Sequence, residues 1–214
     1  MGFASFQQMQ PVTTTTKTFI SRYTDPNMDI GQEEQRIIWQ NPLPNHFWSL
    51  PLGKHQAGGF GSKQKFSYHT GVDLLCNHMQ PLAAVEAGTI VGIQNFSKKN
   101  TNEKKSPWFN NTRVILIEGK SGVVAYCNVI EGADTKVGQK VEAGDVLGNV
   151  IKINKGKSNK NDVCMLHLEL YEEGTRKRVA WSFMFPKPPQ LLDPSIHLVS
   201  IITNSKSNMI FRRR

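Results

Sequence analysis

The sequence predicts an all-β, mainly antiparallel domain, on three observations. Segments rich in valine and isoleucine, spaced by glycine, dominate the centre of the chain. Residues 164–170 alternate so that Leu166, Leu168 and Leu170 share one strand face, while Met165, His167 and Glu169 share the other. Apart from residues 29–39, read as a short helix, the 3.6-residue period of amphipathic helices is missing. At 214 residues the chain can bury the core of one ordinary domain and still carry extensions. No run approaches the roughly 20 apolar residues a membrane helix needs.

Residues 1–47 are read as a polar extension, with Thr13-Thr14-Thr15-Thr16 in an arm that packs along a neighbour. Pro42 and Pro44 favour an extended approach to the domain, where Phe47 and Trp48 are expected to anchor in the core. Apolar segments at 81–91 and 114–117 flank a polar insert, 94–112, of a length that is either functional or mobile. Residues 137–148 read as strand, tight turn at 142–145, and strand. A Lys- and Asn-rich loop, 151–162, runs into the 164–170 strand and should overhang whatever that strand carries. A turn at 172–174, an apolar strand at 180–185 and the prolines at 186, 188, 189 and 194 close a domain placed at 48–198. Residues 199–214 are then a basic tail, beginning as a strand over 199–203.

Chemistry gathers in Tyr68-His69-Thr70-Gly71-Val72-Asp73-Leu74-Leu75-Cys76. An imidazole and a carboxylate four residues apart can grip one metal ion only if the chain bends between them. On a straight strand they start roughly 13 Å apart, at about 3.3 Å per residue, whereas ligands of one zinc each lie about 2.0–2.2 Å from it. Gly71 makes that bend cheap, and Thr-Gly-Val is poor helix material. His167 is a third candidate ligand, left on the strand face opposite three leucines beside Glu169, which can orient it. The bland alternative is a strand histidine that simply hydrogen-bonds to Glu169.

The ordered set of these segments resembles one family. Leu50-Pro51-Leu52-Gly53, Gly58-Gly59-Phe60-Gly61, the His69 motif, the segments at 81–91, 114–117, 122–126 and 137–148, and the His167 strand together look like the lysostaphin-type zinc metallopeptidases, over roughly residues 48–198. The resemblance implies the antiparallel two-layer sheet of the duplicated hybrid motif, loops that shape a substrate groove, and cleavage of the peptide part of peptidoglycan. It implies that His69, Asp73 and His167 hold one zinc. Three protein ligands leave a fourth position, where zinc lowers the pKa of water to about 7.

The chain departs from the family where protons must move. The family supplies a general acid and base from two histidines: the first of a His-x-His strand, here Met165, and one two residues after a tyrosine, here Asn128 after Tyr126. Neither side chain shuttles a proton, and positioned acid–base groups are worth about 10²- to 10⁴-fold each. The leukocyte chemotaxin branch is similar in pairing this type of His-x-x-x-Asp motif with a closely following cysteine, in a protein that signals rather than cuts. Three readings therefore stand: a zinc-binding domain without efficient proteolysis that acts in binding or assembly, an active endopeptidase with His55 or His78 reaching in from a loop, and a metal-free structural subunit of a larger particle. His46, His55, His78 and His197 are otherwise read as solvated loop residues.

The net charge of +9 comes from 26 basic and 17 acidic residues. Residues 1–60 hold four of each sign, so the excess falls in the remainder, including Lys98-Lys99, Lys104-Lys105, residues 152–160, Arg176-Lys177-Arg178 and the terminal arginines. These read as solubilising surface or as a face for an anionic polymer, beside a peptide or glycan-peptide ligand and protein partners of residues 1–47 and 199–214. No nucleic-acid-binding motif accompanies the charge. Cys76, Cys127 and Cys164 are too few for a disulfide scaffold, and their pairing is left open. By alternation Cys127 and Cys164 are placed in the core, away from the metal. The first residues lack the basic start and apolar stretch of a secretory signal, which points to a cytoplasmic protein or one carried by a virus or phage particle.

Overall fold

Among the described residues, short β-branched runs punctuated by glycine become nine strands: β1 (Val72–Cys76), β2 (Gln80–Ala83), β3 (Gly88–Asn95), β4 (Arg113–Gly119), β5 (Gly122–Glu131), β6 (Lys140–Val141), β7 (Val146–Val150), β8 (Cys164–Tyr171) and β9 (Leu191–Leu192). The computed structural model describes residues 39–51, 54–96, 111–152 and 164–202, all inside one compact unit spanning Ile37–Arg214. Every pairing is antiparallel, in the order β1-β8-β5-β4-β3-β6, with β7 joining β5 to β2 and β9 on the edge of β8. This is the all-β antiparallel sheet the sequence predicts.

β5 lies at the centre and is buried on both faces, as its near-continuous apolar run requires. Val124 and Tyr126 pack into one hydrophobic cluster with Leu166, Leu168 and Leu170, and Val123, Ala125 and Cys127 pack into a second with Tyr171. The alternation breaks at Asn128. Arg113 opposes Val129 and Val114 opposes Cys127, so Asn128 is an extra residue in the ladder, with φ at 65°. Beyond it Val129 returns to the first cluster, and β5 exchanges β8 for β7 as its neighbour. Asparagine tolerates this left-handed conformation better than most residues.

Several expectations are corrected. Phe47 does not anchor in the core but is 86% exposed; the chain turns at Asn45 (φ 58°), and Trp39 and Leu43 occupy the core beside the partly buried Trp48. Residues 180–185 form no strand beyond one bridge between Ser67 and Ser182, since prolines follow at once and Trp181 and Phe183 instead pack against Tyr68, with ring centroids 4.9 Å away in each case. The strand expected over 199–203 does not form at residues 199–202: a helix occupies residues 195–202, its start marked by Asp193 accepting from the Ser195 N–H at 2.9 Å and by Pro194. Leu198 and Ile201 face the core from it, and His197 stacks on Trp39 at 4.6 Å rather than standing in a solvated loop. The Thr run, residues 29–38, and most of the 94–112 insert and the 151–162 loop lie outside the described residues.

Candidate metal centre

β1 and β8 run side by side with Asp73 opposite His167, so two of the three predicted ligands are neighbours in the ladder. His69 reaches them because the chain bends at Gly71 just before β1. The glycine is needed for a reason other than φ: a Cβ there would lie 2.3 Å from the Leu168 carbonyl oxygen and 2.9 Å from the Glu169 side chain. On the far side, the Asp73 N–H donates to the Gly58 carbonyl at 2.8 Å, and Gly61 and Ser62 bond the His69 backbone at 2.9 Å each. The glycine-rich loop therefore fixes both ends of the motif.

Three atoms converge. His69 Nε2 lies 3.0 Å from His167 Nδ1 and 3.3 Å from Asp73 Oδ1, and His167 Nδ1 lies 2.8 Å from Asp73 Oδ1. The outer ring nitrogens are engaged elsewhere: His69 Nδ1–H donates to the Gly59 carbonyl at 3.1 Å, and His167 Nε2–H to Glu169 Oε1 at 3.0 Å. Those acceptors set the tautomers, so three lone pairs point at one another. Ligands about 2.0–2.1 Å from a tetrahedral zinc stand about 3.3 Å apart, so the triangle fits zinc with slight contraction, and its N, N, O donor set is a zinc set. Between like lone pairs only a proton or a cation is stabilising. Burial opposes protonation of His167, yet its hydrogen bonds to Asp73 and Glu169 push it up to about 9. Burial likewise raises the Asp73 carboxyl, but the two histidines outweigh it and hold it at about 2.

Beneath His167 lies a second layer that sequence reasoning only partly found. Glu169 is fully buried and takes a two-pronged contact from the Arg178 guanidinium, with Tyr171 Oη at 2.8 Å and Thr70 Oγ1 at 2.5 Å. Burial would raise its carboxyl; Arg178 and then His167 hold it well below its ordinary value. Arg178, read from sequence as solubilising surface, thus turns inward, with Phe96 4.3 Å beneath its guanidinium. The signal was present: a carboxylate on a strand buried on both faces needs a cation. Cys127 is buried as expected but not away from the site. It opposes His167 in the ladder and so shares its face, with Sγ 3.9 Å from Glu169 Oε2. Cys127, His167 and Glu169 form a second potential ligand group, but Arg178 already occupies that carboxylate.

Asn128 and Met165 meet next to the ligands. Cys127 is opposite His167, and one residue on, Asn128 Nδ2 donates to the Met165 carbonyl at 3.3 Å. Asn128 is buried, and its Oδ1 has no hydrogen-bond partner among the described residues. Met165 and its ladder partner Leu75 line a cleft of about 410 Å³ together with Leu50, Pro51, Gly58 and Asp73. One side of this cleft is therefore apolar, and Asp73 is the ligand that reaches it. His55 and His78 are exposed and belong to neither ligand group, and His78 Nδ1 instead accepts from the Lys152 N–H at 3.3 Å.

Residues 67–179 match the sequence pattern described as peptidase family M23. No curated protein sequence matches. Among solved structures, the catalytic domain of the antimicrobial peptidase lysostaphin from Staphylococcus simulans is 20% identical, over 71% of this chain and 92% of that one, with a TM-score of 0.42. CbpA from L. salivarius REN is 19% identical over 78% and 99%, with a TM-score of 0.48. A zinc-containing peptidase from Vibrio cholerae is 19% identical over 71% and 41%, with a TM-score of 0.42.

Proposed function

Because the chain belongs to peptidase family M23, we propose that it is a zinc-holding member that binds a peptide or glycan-peptide without cutting it efficiently. The carrying observation is the contrast within one site. Three lone pairs meet at 2.8–3.3 Å, while the two positions that would move protons are filled by an amide and a thioether. His69, Asp73 and His167 would hold the ion. Zinc, when bound, supplies a Lewis acid that polarises a carbonyl or carboxylate oxygen.

The chain's own residues supply binding. Met165 and Leu75 give the cleft an apolar wall for a ligand side chain. Asn128 lies buried behind that wall, its Nδ2 donating to the Met165 carbonyl at 3.3 Å. Neither Asn128 nor Met165 can take a proton from an attacking water or return one to a leaving amine. Residues 1–47 and 199–214, apart from Trp39, Leu43 and Ile201, which pack in the core, are proposed as docking elements for protein partners.

The test couples metal content to hydrolysis. Elemental analysis of the purified protein should give one zinc per chain, and zymography on bacterial cell walls should give no clearing. The double substitution Asn128→His and Met165→His should add at least about 10²-fold to the hydrolytic rate. The backbone suits this change, because histidine also tolerates positive φ. Clearing by the parent that His69→Ala abolishes would replace this reading with an active endopeptidase, and absence of zinc would replace it with a metal-free structural subunit.

A further inference from the structure

Cys76 and Cys164 stand directly opposite each other at the last ladder position of β1 and β8. Both occupy the core face of their strands, in line with Val72 and Leu74 on one and Leu166 and Leu168 on the other. They are therefore on the opposite face from Asp73 and His167. Opposed residues on antiparallel strands have Cα atoms about 4.5 or 5.5 Å apart, depending on the kind of pair. Both separations fall within the range of about 4.4–6.8 Å that a disulfide accepts. Cys76 is partly exposed and Cys164 nearly buried, whereas Cys127 is fully buried on the other face beside Glu169.

We propose that Cys76 and Cys164 form a redox site, closing a cross-strand disulfide when the protein meets a peroxide and leaving Cys127 reduced. One sulfur attacks a peroxide oxygen, breaking the O–O bond and becoming a sulfenic acid as water leaves. The second sulfur displaces the sulfenic hydroxyl, forming the S–S bond and a second water. The sulfurs lose two electrons and the peroxide gains two, so two thiols and one hydrogen peroxide give one disulfide and two waters. Their mutual interaction lowers the Cys164 thiol below its ordinary value while raising that of Cys76, and the ladder places each sulfur's resolving partner directly opposite it. The link fastens the strand that carries Asp73 to the strand that carries His167, three residues after Asp73 and three before His167; its bearing on the metal rests on the function proposed above, but its formation does not.

The test treats the full-length protein with hydrogen peroxide, alkylates remaining thiols, digests without reductant and maps the linked peptides by mass spectrometry. The expected product is a single intrachain link between Cys76 and Cys164, with Cys127 recovered alkylated. A link that contains Cys127, a dominant link between chains, or oxidised Cys76 and Cys164 without a link would each overturn the proposal. Melting temperatures in peroxide and in reductant give a second readout. The parent and Cys127→Ser should melt higher when oxidised, and Cys76→Ser should show no difference. A parent that melts identically in both would sink the claim that the bond braces these strands. Because mapping needs no metal, its failure is distinguishable from failure of the zinc reading.

Discussion

His69 and His167 each give one ring nitrogen to a protein acceptor, so each presents the other nitrogen as a lone pair beside the Asp73 carboxylate. A proton and a metal ion compete for that point. Since His167 is pushed up to about 9 when no metal is present, zinc must displace a proton at neutral pH. Apparent zinc affinity should therefore rise about tenfold per pH unit between about pH 6 and 8, measured by competition with a chromogenic chelator; a flat profile would exclude a proton at this position. Gly71 is the other single residue on which the site depends. Gly71→Ala places a methyl 2.3 Å from the Leu168 carbonyl oxygen, so β1 must move away from β8. A loss of about 3 kcal/mol in urea unfolding, with weakened zinc retention, is expected.

At the scale of elements, β8 is the strand on which the site is assembled. Its leucine face builds the core, and its other face carries His167 and Glu169, as the alternation of the sequence states. What makes a buried Glu169 tolerable is Arg178, which arrives from the irregular segment after Tyr171. Breaking one side of a buried pair leaves an unpaired charge, so Arg178→Ala should destabilise the domain by about 3–5 kcal/mol, while Arg176→Ala, which loses only the exposed pair with Glu118 at 2.9 Å, should leave stability nearly unchanged. Equal effects in chemical denaturation would mean that Arg178 is not holding Glu169. β5 contributes differently. Its bulge at Asn128 reverses the side-chain alternation and hands the strand from β8 to β7, which brings the asparagine amide to the Met165 carbonyl beside the ligands.

Over the whole molecule, the metal-stripped protein should show the imprint of this triad in its pH stability. His167 moves from 6.5 to about 9 on folding, so its contribution is complete below 6.5 and disappears as pH rises through 9. Asp73 moves from 3.8 to about 2, so its contribution is complete above 3.8 and disappears as pH falls through 2. Thermal melting of chelator-treated protein should therefore be highest between about pH 4 and 6.5 and decline toward pH 9. Zinc should remove the alkaline decline, because His167 then carries no proton at the shared nitrogen. No helix among the described residues is long and apolar enough to cross a membrane.

Local pattern was enough to establish the antiparallel β class, the leucine face of β8 and the bend at Gly71 between His69 and Asp73, because a strand's two faces and a glycine bend are read over a few residues, whereas His167 joined that pair through the family resemblance of the ordered segments. It misjudged residues 199–202, where the Asp193-Pro194 start of a helix outweighs the β-branched run that follows, and it put Phe47 inside because an aromatic pair says nothing of which way the chain turns. Arg178 beneath Glu169, Cys127 on the His167 face, the bulge at Asn128 and the facing thiols of Cys76 and Cys164 were decided only in three dimensions. Each depends on which residue of one strand lies opposite which residue of another. That register is set by the packing of the whole sheet, and no single stretch of the chain contains it.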